Sequence, residues 1–313
     1  MKIYIPRFVL VFLLVLSGFG AGVLFIQGTA TTPDDSYKSF ISSNYKVFSM
    51  PVPDDLTFCG EKVPTHFYDV NEKLDRELLV NAYRHSATFL NIKRSNRWFP
   101  VIEPILAKNG IPDDFKYLCV IESDLSNAVS PSGARGFWQF LDVTAKEYGL
   151  EVTEEVDERY DVVKSTEAAC KYLNEAYKKF GSWALVAASY NMGMSGVSGE
   201  LAKQSAKTYW DLQLNEETGR YVFRILAMRQ IMQDPEGHGF HLRSEDKYPQ
   251  YETVKVAVSS TIPDLYAFAT QQGVNYKTIK ILNPWMRKTK LEVKPGKSYD
   301  VSLPADKSLW VAE

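Results

Sequence analysis

One glutamate stands out for its setting. Phe115, Leu118, Ile121 and Leu125 recur at helical spacing and predict one apolar face of a helix. Glu122, four residues after Leu118, falls at the border of that face. A carboxyl there meets a cleft wall rather than open water, and partial burial disfavours its charged form and raises its pKa. A glutamate that keeps its proton near neutrality can act as a general acid toward a glycosidic oxygen. The same pattern also describes a surface glutamate on an ordinary amphipathic helix, so the residues that follow must decide. Ser130 to Gly136 is a small-residue loop, and its glycines permit backbone to approach an extended ligand. Phe137 and Trp138 offer flat apolar surfaces, and Gln139 can both donate to and accept from sugar hydroxyls or acetamido groups. Far downstream, Tyr190 and Asn191 close a helix just before Gly193.

Helices must position these groups. From Lys73 the apolar residues Leu74, Leu78, Ala82, Phe89 and Ile92 recur at three-, four- and seven-residue spacings. A helix begins at Ile111, where Pro112 suits a first turn and Asp113 and Asp114 complement the dipole. Another follows Asp142 and stops at Gly149. Ser165 opens the next, with Ala169, Leu173, Ala176 and Phe180 as its buried stripe and Gly181 as its stop. Ser182 caps an apolar helix from Trp183 to Tyr190, and a last one runs from Glu216 to Met232. Strand-like alternation is absent, so residues 73–240 read as an all-α domain. Residues 31–72, with Pro33, Pro51, Pro53 and Pro64, read as a tether and entry segment, and Asp234 to Gln250 reads as a linker. Beyond it Val254, Val256 and Val258 alternate with Lys and Ala, two short helical stretches follow, and Tyr299 opens a closing strand. That gives a small α+β domain, β-α-α-β, over 250–306.

The chain has 313 residues, enough for one large domain and one small one. A net charge of −2 leaves no basic excess to neutralise phosphates, which argues against nucleic acid as a partner. Lys2 and Arg7 precede an uncharged apolar run from Phe8 to Ile26. This is an export signal, either a signal peptide over residues 1–30 or a retained anchor that tethers the chain to the inner membrane. The chain is therefore placed in the periplasm or cell envelope. Cys119 reads as a small core hydrophobe, while Cys59 and Cys170 could pair in an oxidising compartment. The four histidines and three cysteines are dispersed without ligand spacing, so no metal and no cofactor are expected.

Taken together and in order, Glu122-Ser123, Gly133-Ala-Arg-Gly-Phe-Trp-Gln139 and Tyr190-Asn-Met-Gly193 resemble the soluble-lytic-transglycosylase (SLT) domain family. Thr144-Ala145, Gly149-Leu150 and the stretch from Glu217 through Arg220-Tyr221-Val222 resemble its membrane-bound lytic transglycosylase D group. The resemblance spans residues 73 to 235. It implies a lysozyme-like α fold that cleaves the MurNAc–GlcNAc β-1,4 bond of peptidoglycan, with Glu122 the one catalytic carboxylate. It also implies that Ser123, Gln139, Tyr190 and Asn191 line the glycan cleft and that Tyr221 lies near the acid. Two residues depart from the family pattern: Phe137 replaces a leucine, and Met192 replaces an alanine and can narrow a subsite. Val254 to Leu303 resembles a LysM domain, a binder of N-acetylglucosamine-containing glycans, through Leu282-Asn283-Pro284 and Val293 to Pro304. Ser259-Ser260-Thr261 stands where that family has Gly-Asp-Thr. Trp285 is open to two readings, a sugar platform or a core residue.

A single carboxylate fits lytic chemistry. Hydrolytic glycosidases use two, one as acid and one as nucleophile or base. Asp124 is a poor second, because two residues along a helix points about 160° away. A hydrolytic lysozyme on the same fold, or a non-catalytic wall-binding scaffold, remain the alternatives.

Overall fold

The computed structural model describes residues 47–310, together with Ser39 and Ser43. The apolar run Phe8 to Ile26 lies outside the described residues. Among those described, no helix is long and apolar enough to cross a membrane. Ten α-helices and two small two-stranded sheets are described, and Met50 onward forms one body.

The entry segment is more than a tether. Thr57–Phe58 (β1) and Glu61–Lys62 (β2) form a short antiparallel hairpin. Met50, Leu56, Phe58 and Val63 are buried in the main core. The Arg229 guanidinium fastens this segment, donating to the Thr57 carbonyl at 2.6 Å and to Asp114 at 2.7 Å. The proline content foretold the lack of long helix here but not the burial.

The helical body then runs through α1 (Tyr68–Ala82), α2 (His85–Lys108), α3 (Lys116–Ser123), α4 (Asp142–Glu147), α5 (Val162–Phe180), α6 (Trp183–Met192), α7 (Met194–Gln204) and α8 (Glu216–Gln233). The pattern from Lys73 divides at Tyr83–Arg84 into two helices, and α1 starts five residues before Lys73. Helix α5 begins one turn before Ser165, because the Asp161 side chain accepts from the Lys164 N–H and caps it there. Ser182 sits at the N-cap of α6, yet its hydroxyl donates to Glu61, whose other oxygen takes the Trp183 N–H. A carboxylate from β2 thus does the capping that the sequence assigned to the serine. Helix α6 is apolar on nearly every side, and α8 is buried along most of its length while carrying its charged residues at the rim and toward the entry segment. Helix α8 packs on α1, α3 and α6, so it touches most of what it must position.

Cys59 and Cys170 are not bonded to each other, and all three cysteines are free thiols. Cys59 lies in the β1–β2 turn, where its N–H donates to Asp114. Cys170 faces the Ile105 carbonyl on α2.

The C-terminal module is β-α-α-β: β3 (Thr253–Val258), α9 (Leu265–Gln271), α10 (Tyr276–Leu282) and β4 (Tyr299–Pro304). The strands are antiparallel, in register from Thr253 opposite Pro304 to Val258 opposite Tyr299. Asn283 is fully buried and joins α10 to β4. Its amide donates to Ile279 and Ser302 carbonyls, and its oxygen accepts from Ser302 N–H at 2.7 Å. Trp285 is buried and stacked on Tyr299, ring centres 5.4 Å apart, which decides it as a core residue.

The module's small core is completed from the helical body. Val156 and Tyr160, in the loop between α4 and α5, pack with Trp285, Met286, Val301 and Leu303. Backbone bonds accompany them: Asp157 N–H to the Trp285 carbonyl at 2.9 Å and Arg287 N–H to the Glu155 carbonyl at 2.7 Å.

Candidate active site

Glu122 sits in the last turn of α3. The helix ends one residue later because Asp124 and Leu125 take left-handed backbone, φ 51° and 50°. Leu125 therefore leaves the helix, although it is buried as the apolar pattern required. Such φ values are costly for residues other than glycine and survive only where surroundings impose them. Here the Asp124 carboxylate is held by Asn91 at 2.8 Å and Arg84 at 3.3 Å, and its carbonyl accepts from Arg94 at 2.8 Å. Asp124 is engaged away from the glutamate, as the sequence suggested, but by leaving the helix rather than by pointing off it.

Glu122 is partly buried, and burial raises its pKa. The Tyr221 hydroxyl donates to its Oε1 and, with the nearby Arg224 guanidinium, pulls the value back down; Glu217 pushes it up. Burial is the largest of these effects, so the carboxyl holds its proton to higher pH than an exposed glutamate. Arg224 is directed elsewhere, donating to the Ile121 carbonyl at 2.7 Å. Tyr221 is fully buried, and burial followed by the Glu122 charge raises its own pKa, so it stays a donor.

Tyr190 and Asn191 come from the end of α6. The Tyr190 hydroxyl donates to the Trp138 carbonyl at 2.7 Å, which ties α6 to the glycine-bearing loop. Its pKa is raised by burial and next by Glu122, so the ring lies within the electrostatic reach of that carboxylate. Asn191 accepts from the Thr218 hydroxyl at 2.6 Å and donates to Glu217 at 3.0 Å. Gln139 has left-handed backbone, φ 49°, and its amide nitrogen donates to the Gly136 carbonyl at 2.7 Å and the Ala128 carbonyl at 3.2 Å. Ser123 is buried, with its hydroxyl donating to Cys119 one helical turn back. Glu122, Tyr190, Asn191 and Tyr221 are thus linked through α3, α6 and α8. Gln139 joins them through the Trp138 backbone, and Ser123 points into its own helix.

Two expectations about the loop change. Phe137 and Trp138 are buried, the indole N–H donating to Thr166 at 2.9 Å, so they anchor the loop rather than offer faces to a ligand. Gly136 is required by protein, not by ligand: φ is 78°, and a Cβ there would lie 1.8 Å from the Arg159 carbonyl oxygen. Arg159 is the residue that sequence reasoning missed. Buried with Asp157, it donates to both oxygens of that carboxylate at 2.8 Å and to the Phe140 carbonyl at 3.2 Å. The backbone of Asp157 is bonded to Trp285, so one buried ion pair joins the C-terminal module to the loop carrying Gln139. Glu217 and Thr218 were also missed as partners of Asn191. The four-residue step from Glu217 to Tyr221 places both on one face of α8 and was the available signal.

Residues 100–213 match the family model of the Transglycosylase SLT domain. The chain carries an SLT domain. Residues 254–307 match the Soluble lytic transglycosylase C-terminal LysM-like domain. Proteins named membrane-bound lytic murein transglycosylase D from two Escherichia coli strains are each 27% identical over 263 residues, 82% of this chain and 53% of theirs. A putative tributyltin chloride resistance protein of an Alteromonas species is 29% identical over 117 residues, 37% of this chain and 56% of that one. The chain spans about half the length of the curated relatives it matches. The SLT match includes Glu122, Gln139, Tyr190 and Asn191; Tyr221, which bonds Glu122, lies on α8 beyond its end.

Proposed function

We propose that the chain is a peptidoglycan lytic transglycosylase that cleaves the MurNAc–GlcNAc β-1,4 bond. The observation that carries this reading is the setting of Glu122: a half-withdrawn carboxyl whose pKa burial raises, with a buried tyrosine donating to one oxygen and leaving the other for the substrate. In the first step Glu122 gives its proton to the glycosidic oxygen as the C1–O bond breaks, and the MurNAc acetamido oxygen bonds to C1. In the second, the Glu122 carboxylate takes the proton of the C6 hydroxyl while O6 displaces the acetamido oxygen. The products are a free GlcNAc 4-hydroxyl and a 1,6-anhydro-MurNAc end, and Glu122 is again protonated. No water enters, so intramolecular attack replaces the second carboxylate. The Tyr221 hydrogen bond favours the carboxylate that the second step needs.

Tyr190, Asn191 and Gln139 line the glycan path in this reading, with Ser123 fixing the end of α3 beneath it. The LysM-like module adds affinity for the same polymer. The N-terminal apolar run delivers the chain to the envelope, where that polymer is. The name of the Escherichia coli relatives supports the same activity and substrate.

A hydrolytic reading has one observation in its favour. Glu217, held by Asn191, is a second carboxylate close enough to raise the Glu122 pKa. The test is digestion of purified peptidoglycan with product masses read by mass spectrometry. Lytic cleavage gives anhydro ends, one water lighter than reducing ends. Reducing ends that disappear in Glu217→Gln would establish the lysozyme instead.

A further inference from the structure

One cavity of the body does not have Glu122 in its lining. A cavity of about 430 Å³ opens between the helical body and the C-terminal module. That is a size that holds small ligands, which occupy roughly 300–1,000 Å³. Trp98 and Tyr251 form an aromatic wall, their rings perpendicular with centres 6.0 Å apart. Three cations line it, and each bonds a neutral oxygen rather than a carboxylate. Arg94 donates to the Asp124 carbonyl, Arg97 to the Pro249 carbonyl and the Tyr251 hydroxyl, and Lys255 to the Ser302 hydroxyl, each at 2.8 Å. Among the lining residues Asp161 is the one acid, and it is occupied in capping α5. Charge in the cavity is therefore three positive against one negative, beside the positive end of a nineteen-residue helix.

We infer that this seam cavity binds a carboxylate-bearing peptide. Guanidinium groups with open donors favour carboxylates, and partial exclusion of water strengthens the attraction. The Trp98–Tyr251 wall suits the apolar stretch between a peptide's charges better than it suits a small inorganic anion. Resting on the proposed function, the peptide is the stem carried by MurNAc, whose residues bear free carboxylates. Residues 125–127 form part of the cavity and leave the end of α3, so the cavity adjoins the segment that carries Glu122. Arg94 and Arg97 come from the body and Lys255 from β3, so the peptide is gripped by both parts of the chain at once.

The test uses the full chain and the stem tripeptide L-alanyl-γ-D-glutamyl-diaminopimelate, titrated by calorimetry beside its fully amidated analogue and inorganic phosphate. The free acid binds, weakens with salt, and binds at least about tenfold more tightly than the amide, the value of one charge-assisted contact. Arg97→Ala and Lys255→Glu each weaken it about tenfold. Lys255 is exposed on a strand, so the second variant keeps the fold if the first does not. Both variants still cleave glycan strands stripped of peptides. Equal binding of acid and amide, phosphate binding as tightly as the peptide, or full affinity in Lys255→Glu would overturn the site. Peptide binding without any glycan cleavage would sink the lytic reading and leave the site standing. Cleavage without peptide binding would sink the site alone.

Discussion

Glu122 and Asp157 are both withdrawn from water, and they are held there in opposite ways. Asp157, 1% exposed, has both oxygens bonded to Arg159, with Arg135 at 3.4 Å. Its charge is matched, and the pair serves as a staple between the module and the loop of Gln139. Glu122 makes no ion pair among the described residues; a neutral phenol is its bonded partner, and the nearest guanidinium is aimed at a backbone carbonyl. A buried carboxylate matched by a bidentate arginine is structural, while one left with a phenol is pushed toward its protonated form. The proposed function places chemistry on the second kind. The SLT domain and the LysM-like module are not beads on a string, since the Asp157–Arg159 staple to the loop of Gln139 is anchored in the module's core.

Substitution of Glu122 itself has the strongest consequence. Glu122→Gln lowers anhydro-product formation by ~10²–10⁴, the usual value of a general acid, measured by product mass spectrometry. The same variant should melt higher at neutral pH. The sign follows from linkage. The folded protein holds the Glu122 proton above the pH at which the unfolded chain releases it, so ionisation penalises the fold once pH passes the unfolded value. The penalty is complete above the raised folded value. A glutamine removes it, and calorimetric melts below the unfolded value should show no gain.

Asp157→Asn should do the reverse. Leaving Arg159 buried without its partner costs ~3–5 kcal/mol, read by denaturant unfolding, while the pH dependence of residual activity stays as in the parent. If Asp157→Asn moved the pH profile and kept the stability, the two roles would have been assigned the wrong way round.

Tyr221→Phe acts on the same carboxyl with a smaller effect. It removes a hydrogen bond that favours the charged form, so the Glu122 pKa rises further, and the alkaline limb of the rate profile moves to higher pH. Turnover falls roughly tenfold, the lower range for a bond to a charged group. An alkaline limb that stays put would mean that Tyr221 does not set the Glu122 proton.

Apolar spacing alone was enough to show an all-α body, a β-α-α-β module after it, and a glutamate at a helix border. Those are local properties: a face of period 3.6 or 2 is written in consecutive residues. Leu125 was legible as buried for the same reason, whereas Asn283 was marked by the resemblance to LysM modules and not by spacing. What spacing cannot carry is the pairing of distant polar groups. Glu61 displacing Ser182 as a cap, Arg159 closing on Asp157 and then on Phe140, and Phe137 and Trp138 turning inward each depend on segments that meet only after folding. The left-handed turns at Asp124, Leu125 and Gln139 have no glycine to announce them, because tertiary bonds from Asn91, Arg84 and Arg94 and from the Gln139 amide itself impose them. Consecutive residues were enough to nominate groups for chemistry. Tertiary structure decided which carboxylate is left without a cation, because burial and counter-charge are properties of the assembled core rather than of any stretch of chain.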